Sequence, residues 1–228
     1  IQNQLVGNIE LTRPGRLFVR QAPLLKLSRD GPKPYVFVLF SDCLLYAERQ
    51  TFGSKLVLHR MVAPERVGDA PDNALALQIF SADKSFAVVF ASDAEKEEWR
   101  ADLLEVAARV TGKGGEMATA EESSSLKVAP VWLANDAEEA HACKVCAKEF
   151  GLLLRRQHCY HCGGVMCEPC SEVATLPGLY HEKPVKVCRH CKARVQFKAA
   201  PTPGRRESSD APGLRERAVS ALQELVAP

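Results

Sequence analysis

The sequence predicts a multidomain protein, in which an antiparallel β-sheet with one closing helix precedes a small lobe built around two zinc ions. Three observations predict this fold class: short β-type runs at regular spacing in the first half of the chain, one helical pattern after them, and eight of the nine cysteines grouped further on. The 228 residues, 46% hydrophobic and 25% charged, have the length and composition of two modest globular domains.

The first domain starts with six short runs in which apolar, β-branched and aromatic residues dominate. In chain order these runs are PLLKL, YVFVLFS, CLLYAE, KLVLHR, ALALQIF and SFAVVFA. The segments SRDGPKP, RQTFGS and GDAPDN contain turn-forming residues and are expected to break the runs. Because the connections are short, the pattern is typical of strands that pair antiparallel in a meander.

A helix is predicted directly after the last of these strands. Ser92 and Glu95 have the spacing of a capping box, and Gly112 is a stop signal. Between them, four apolar residues share one helical face: Trp99, Leu103, Ala107 and Val110. We expect this helix to plug the open end of the curled sheet.

The segments that border the two domains have the composition of tails and linkers. Residues 1–13 are predicted to be the tail of an upstream helix, residues 112–127 a linker, and residues 199–228 a disordered tether with a short helix. The chain starts with Ile1 and has no signal-peptide pattern, so we expect a fragment of a longer cytoplasmic protein. No apolar run reaches the ~18 residues that a membrane span requires.

The grouped cysteines form four C-x-x-C pairs, which is the spacing of zinc ligands. The pairs are Cys143/Cys146, Cys159/Cys162, Cys167/Cys170 and Cys188/Cys191. Without a signal peptide, this pattern favours zinc over disulfide bonds, and eight thiolates satisfy two tetrahedral ions. Because about 60 residues bury too little apolar surface to fold robustly, zinc would supply much of the folding free energy.

The intervals between the pairs predict that the two zinc sites are interleaved. They measure 12, 4 and 17 residues, and the interval of four is too short for the second and third pairs to close comfortably on one ion. The predicted quartets are therefore Cys143, Cys146, Cys167 and Cys170 for one ion, and Cys159, Cys162, Cys188 and Cys191 for the other. The ninth cysteine, Cys43, is expected in the third strand as a buried small hydrophobe.

The strand series that ends in the helix SDAEKEEWRADLLEVA resembles the pleckstrin homology (PH) fold over residues 14–111. The resemblance implies a seven-stranded, partly closed antiparallel barrel capped by its C-terminal helix. Lipid-binding PH domains carry basic residues on their first two strands; Lys26 and Lys33 match this motif, whereas Tyr35 stands in place of an arginine. Half a motif predicts a weak lipid site and leaves open a PH scaffold that docks proteins.

The cysteine lobe, residues 128–198, resembles the FYVE zinc finger in the stretches VWLAND, RRQHCYHCGG and PVKVCRHC. FYVE fingers bind phosphatidylinositol 3-phosphate on endosomal membranes, and the resemblance implies that Leu152 and Leu153 insert into the bilayer. The implied headgroup contacts are Arg155, Arg156, His158 and Lys186. A RING-like ubiquitin ligase is the alternative zinc fold, but the histidine spacing that a RING requires is not met.

The FYVE pattern is broken at positions that serve headgroup binding. Gln157 replaces a histidine, Tyr160 an arginine and Asn135 an aspartate. Lys186 replaces the last arginine, which keeps the charge but loses the bidentate fork. Losing two charge-assisted hydrogen bonds would cost on the order of 3 to 6 kcal/mol. We therefore expect adhesion to acidic bilayers with poor discrimination among phosphoinositides.

A PH domain followed by a FYVE finger, together with the phrase TFGSKLVLHR, resembles the faciogenital-dysplasia (Frabin-like) family of Rho guanine nucleotide exchange factors. The resemblance implies a peripheral protein of endosomal or plasma membranes, associated with the cytoskeleton, whose Rho-family GTPase binds an upstream catalytic domain. We expect no exchange activity from this chain itself. A protein-binding scaffold without lipid contact is the alternative, and nucleic acid is not an expected partner because the basic residues form no long stripe. The lipid and the oligomeric state stay open.

Overall fold

The computed structural model describes residues 1–7, 9–51, 55–112 and 127–199, and residues up to Val195 form one compact unit. The first domain is a seven-stranded antiparallel sheet followed by one long helix. The elements are β1 (Phe18–Ser28), β2 (Gly31–Phe40), β3 (Leu44–Arg49), β4 (Leu56–Val62), β5 (Arg66–Ala70), β6 (Asn73–Phe80), β7 (Phe86–Val89) and α1 (Asp93–Thr111). Their order in the sheet, β4-β3-β2-β1-β7-β6-β5, confirms the predicted PH-type fold.

One apolar core receives side chains from all seven strands and from α1, so the sheet has to curl around it. The Tyr46 ring lies 5.5 Å from the Phe37 ring and 5.2 Å from the Phe86 ring, measured between centroids. Trp99 of α1 is 2% exposed and packs beside Phe90 at 6.2 Å. The helix therefore closes the core, as the pattern of its apolar residues predicts.

The two ends of α1 follow the predicted signals with one difference. The Ser92 hydroxyl accepts a hydrogen bond from the Glu95 amide at 3.2 Å, which is an ordinary N-cap. The Glu95 carboxylate accepts from the Ala91 amide at 3.0 Å, one residue before the position that a capping box predicts. At the other end, Gly112 has a φ of 67°, the left-handed conformation that ends many helices.

The N-terminal segment contradicts the predicted helical tail over residues 1–13. Among the described residues of this segment, only Gln2–Gln4 is helical, as a single 3-10 turn, and Leu5 then forms a parallel bridge to Leu56. Leu5 and Leu11 are buried against the outer face of β2 and β3, where Cys43 also lies, one residue before β3. The prediction was wrong because these apolar side chains are anchors for the sheet surface.

The strand β5 was not predicted from the sequence. Its last three residues, Gly68 to Ala70, belong to the segment GDAPDN that was expected to break the strands. Glycine and aspartate have low β propensity, yet pairing with β6 overrides that preference, with Val67 opposite Ile79 in the register. Val67 is buried in the core, and this burial keeps the strand on the sheet.

The second domain consists of two short hairpins and a C-terminal helix. They are β8 (Arg156–His158) with β9 (Val165–Cys167), β10 (Ser171–Thr175) with β11 (Pro184–Cys188), and α2 (Arg189–Ala199). The core of this domain consists largely of cysteines and a few aliphatic residues. The predicted linker (112–127) and tether with its short helix (199–228) lie almost entirely outside the described residues. No helix within the described ranges is long and apolar enough to cross a bilayer.

Candidate functional site

Eight cysteines gather into two groups of four in the second domain. Within each group all four sulfur atoms lie within 4.8 Å of one another. One group is Cys143, Cys146, Cys167 and Cys170, and the other is Cys159, Cys162, Cys188 and Cys191. These are the interleaved quartets predicted from the spacing. All-thiolate tetrads of this size fit zinc, and the finger therefore holds two zinc ions.

Hydrogen bonds to the sulfur atoms suit them to be thiolates. The amides of Cys167 and Val145 donate to Cys143 Sγ, both at 3.4 Å, and the amide of Cys188 donates to Cys159 Sγ at 3.2 Å. The Cys159 thiol and the Lys144 ammonium lower the pKa of Cys162 to about 4. Cys162 therefore binds a divalent ion without a proton to release, whereas burial raises the pKa of Cys170 and of Cys191 to about 12, and these ligands give up their protons when the ion binds.

Gly163 of the C-G-G stretch lets the start of the finger lie against the second quartet. A Cβ atom at Gly163 would stand 2.4 Å from the Val131 carbonyl oxygen, and its φ of +76° also favours glycine. The Leu133 amide donates to the Gly163 carbonyl at 3.1 Å. This close approach positions Trp132, whose ring stacks on His158 with centroids 4.9 Å apart.

The loop before β8 presents two leucines to solvent. Leu152 is 97% exposed and Leu153 is 101% exposed, whereas Leu154 is half-buried against the core of the finger. The Gly151 amide donates to the Leu154 carbonyl at 3.1 Å and closes the base of the loop. The two exposed leucines thus form an apolar tip, and the hydrogen bond at the base holds the loop closed. An exposed apolar tip of this kind can enter an apolar phase.

A cavity of about 480 Å³ lies beside this tip, and three predicted headgroup residues line it: Arg155, Arg156 and His158. We call it the finger cavity. Arg155 is exposed, whereas Arg156 donates to the Asn135 carbonyl at 2.6 Å. His158 is buried, its Nε2 donates to the Leu133 carbonyl at 2.8 Å, and burial lowers its pKa. The His158 ring thus forms part of the wall of the finger cavity, and the Trp132 ring stacks on it.

The fourth predicted headgroup residue, Lys186, is not among the residues that line the finger cavity. It lies on β11, opposite Val173 of β10. Its ammonium is 3.0 Å and 3.1 Å from the two carboxylate oxygens of Glu168. The sequence pattern did not indicate this ion pair, because the two residues are brought together only by the zinc-bound fold.

The two lysines of the predicted PH lipid site line a second cavity, of about 230 Å³. More residues line this cavity than the sequence indicated. We call it the PH cavity. Lys26 and Lys33 line it as predicted, together with Lys84, Arg29 and Trp132. Neither Lys84 nor Arg29 belongs to a recognisable motif; both lie in turns that only the folded sheet brings beside Lys26. Trp132 comes from the finger, so both domains form this cavity.

The PH cavity holds ammonium groups that lack acidic partners. Within the described residues, no carboxylate lies within ion-pair distance of Lys26, Lys33 or Lys84. Lys26 is only 8% exposed, and desolvation followed by repulsion from Lys33 lowers its pKa. Desolvation also lowers the pKa of Lys84 to about 8, and its Nζ lies 3.6 Å from the Trp132 ring centroid. Two desolvated ammonium groups, buried Lys26 and half-buried Lys84, form an environment that suits an anion, although the Asp30 carboxylate also lines this cavity.

Comparison with known proteins matches the finger to a family profile and both domains to named relatives. The FYVE zinc finger profile matches residues 132–197. Zebrafish pleckstrin homology domain-containing family F member 2 is 32% identical, over 85% of this chain and 77% of that protein. The human member 2 is 33% identical, over 79% of this chain and 72% of that protein.

A larger human relative has the same two domains in its name. FYVE, RhoGEF and PH domain-containing protein 6 is 30% identical over 86% of this chain. The chain spans only 15% of that protein's length. The similarity thus extends across both domains in relatives of very different size.

Proposed function

Because the chain belongs to the pleckstrin homology domain-containing family F and carries a FYVE zinc finger, we propose that it is a membrane-targeting module that binds phosphoinositides or other acidic lipids. The observation that carries the proposal is the pair of fully exposed leucines, Leu152 and Leu153, at the rim of a cavity lined by arginines. Water is a poor solvent for this tip, and an acidic bilayer satisfies both its apolar and its cationic parts.

Leucine burial and charge attraction each contribute enough free energy to matter for membrane adhesion. Burying one leucine contributes roughly 1.5 to 3 kcal/mol, and each cationic side chain near an anionic surface about 1 kcal/mol. Two leucines with Arg155 and Arg156 thus suffice for reversible membrane binding without a covalent lipid. These terms do not depend on which phosphoinositide is present.

Weakened selectivity for phosphatidylinositol 3-phosphate is part of the proposal. Tyr160 occupies the position of a family arginine, and its ring packs edge-on against Trp132 and Tyr180, at 5.2 Å from each. A phenol held in this way supplies no cation to a phosphate. Lys186 pairs with Glu168 and does not line the finger cavity, so it supplies no second cation there.

Vesicle sedimentation across a panel of phosphoinositides tests the proposal. We expect the zinc-loaded chain to bind vesicles containing phosphatidylserine, with a modest increase for every phosphoinositide added, since charge is the common attraction. The bound fraction at several salt concentrations is the measurement, because electrostatic adhesion weakens as salt screens the surface. A strong preference for the 3-phosphate isomer would contradict the weakened selectivity, and no binding to any acidic vesicle would contradict the function.

Replacing Lys26 by methionine in the same assay tests the PH cavity. We expect the increase caused by phosphoinositide to fall about fivefold, which corresponds to about 1 kcal/mol for one cation. Thermal stability should rise, because methionine removes a desolvated charge. The gain is expected to stay near 1 kcal/mol, since the Tyr46 and Phe86 rings, 5.5 Å and 5.3 Å from Nζ, already offset part of that cost. A less stable variant with unchanged binding would assign Lys26 to the core.

We also propose the location and the GTPase link that the relatives suggest. The chain would act as a peripheral protein at endosomal or plasma membranes, near the cytoskeleton, and imaging of the tagged chain tests this. A Rho-family GTPase would be reached through residues outside this chain; the name of the human RhoGEF relative supports the link. Accelerated nucleotide release from a Rho GTPase by this chain alone would contradict that division of roles.

A further inference from the structure

Two residues that break the FYVE pattern lie where the finger contacts the PH domain. The Asn135 amide donates to the Arg29 carbonyl at 2.7 Å, and its side-chain Nδ2 donates to an Asp30 carboxylate oxygen at 2.7 Å. Arg29 and Asp30 form the turn between β1 and β2. Tyr160 packs on Trp132, whose ring faces Lys84 of the PH domain. Both substitutions thus serve the contact between the domains.

An asparagine at position 135 suits the negative charge of Asp30, which its side chain contacts. An aspartate at this position would set its carboxylate against that of Asp30 at hydrogen-bond distance. Asparagine instead supplies a donor, and this donor together with Arg29 lowers the pKa of Asp30, which keeps it an anion. The amide is therefore matched to the PH turn, and loss of the family aspartate is a consequence of docking.

Other contacts hold the finger at the loop between β6 and β7. The Ala129 amide donates to the Ser81 carbonyl at 2.8 Å, and the Tyr180 amide donates to the Ala82 carbonyl at 3.2 Å. His181 Nε2 lies 3.0 Å from the Asp83 carboxylate. Together with the Asn135 contacts, these bonds connect two separate PH loops to the finger: the β1–β2 turn and the β6–β7 loop. The position of Arg29 relative to the finger is therefore set by several bonds.

Arg29 and Asp30 line the finger cavity together with Arg155 and Arg156. The Arg29 Nε atom faces Asp30 at 3.4 Å, and within the described residues its two terminal nitrogens have no hydrogen-bond acceptor. The Asn135 Oδ1 atom, also at this cavity, is buried without a partner among those residues. The cavity thus offers guanidinium donors for a phosphate and one acceptor for a hydroxyl.

We propose that the finger cavity is a composite site, in which Arg29 of the PH domain supplies the cation that Tyr160 has displaced and Asn135 latches the two domains together. The ligand it would take is a phosphorylated polyol, the headgroup chemistry of a phosphoinositide. This inference rests on the proposed function and adds to it that neither domain alone forms the complete site.

Replacing Asn135 by aspartate distinguishes two explanations, because they predict opposite changes in vesicle binding. If the latch operates, Asn135→Asp restores the family residue yet weakens phosphoinositide-dependent vesicle binding by roughly tenfold, because the Asp30 contact turns repulsive and Arg29 moves away. If residue 135 only serves the headgroup from the finger, the same substitution strengthens binding, and the inference is overturned. Zinc content and melting temperature are measured alongside.

A reciprocal exchange separates the latch from a general loss of fold. In the double variant Asp30→Asn with Asn135→Asp, the donor and acceptor change places, and we expect most of the binding to return. Arg29→Gln should weaken binding by about tenfold, whereas Arg13→Gln, at an exposed arginine of the N-terminal segment outside both cavities, serves as the matched control. Equal losses from the two arginine variants, or no rescue in the double variant, would overturn the composite site.

The choice of vesicles and soluble ligand separates this inference from the proposed function. The vesicles contain phosphatidylserine with or without a phosphoinositide, and soluble inositol bisphosphate is added as a competitor. Competition assigns the recognised group to the phosphorylated ring; its absence, with vesicle binding intact, would overturn the polyol assignment. If the unaltered chain binds no vesicle, both claims fail. If it binds and Arg29→Gln changes nothing, only the composite site fails.

Discussion

Replacing Cys188 by serine is expected to remove one of the two zinc ions and to unfold the finger, while the PH sheet stays folded. Cys188 is fully buried at the end of β11, directly before α2, and its amide donates to Cys159 Sγ, a second ligand of the same quartet. Structural zinc contributes on the order of 10 to 16 kcal/mol to small fingers, which is comparable to the entire stability of a domain. No packing in this lobe replaces a loss of that size.

Elemental analysis of the purified protein and amide spectra of the two domains provide the measurement. Zinc content should drop from two per chain to one or fewer, with resonances of the finger collapsing and those of the sheet retained. Cys43→Ser is the matched control, because Cys43 lies outside both quartets and burial raises its pKa to about 12. A Cys188→Ser chain that keeps two zinc ions and a folded finger would refute the assignment of ligands.

Replacing Leu152 and Leu153 together by aspartate should abolish membrane adhesion without affecting the fold. Both side chains are exposed in the free protein, so their removal costs no core packing. The lost transfer free energy of two leucines, about 3 to 6 kcal/mol, corresponds to an affinity on the order of a hundredfold to ten-thousandfold weaker. Two new negative charges add repulsion from an acidic bilayer.

Vesicle flotation with the double aspartate variant measures this loss, with Leu17→Asp as the matched control. Leu17 is 64% exposed but lies on the PH domain, so the same substitution there tests whether any exposed leucine serves. Zinc content should be unchanged in both variants. Full vesicle binding by the Leu152→Asp, Leu153→Asp chain would refute the insertion of this tip and would assign membrane adhesion to other residues.

Several parts of the site were predictable because their signals are local. Ligand spacing restricts which cysteines can share an ion, and the run of leucines before Arg155 has no strand alternation that would bury it. The N-cap and C-cap of α1 were predicted for the same reason, since Ser92 and Gly112 act on neighbouring amides. Such signals persist whatever the rest of the chain does.

Predictions failed where distant contacts decide the outcome. The strand β5 contains Gly68 and Asp69, which oppose strand formation, and it forms because β6 and the core hold it. The apolar residues of the first segment fit a helix, but the exposed surface of the sheet takes them up instead, as with Leu5 and Leu11. Local propensity is weaker than the burial of several apolar side chains.

The amino-acid sequence by itself determined the two zinc quartets, the exposed tip and the order of the domains, because each is encoded within a few tens of residues. Only the tertiary structure decided what surrounds the finger cavity and the PH cavity. Asn135 meets Asp30 across 105 positions of the chain, and Trp132 meets Lys84 in the same interface. A substitution that looks like damage within one motif is a matched donor once both domains are folded, since hydrogen bonds depend on which atoms are adjacent in space.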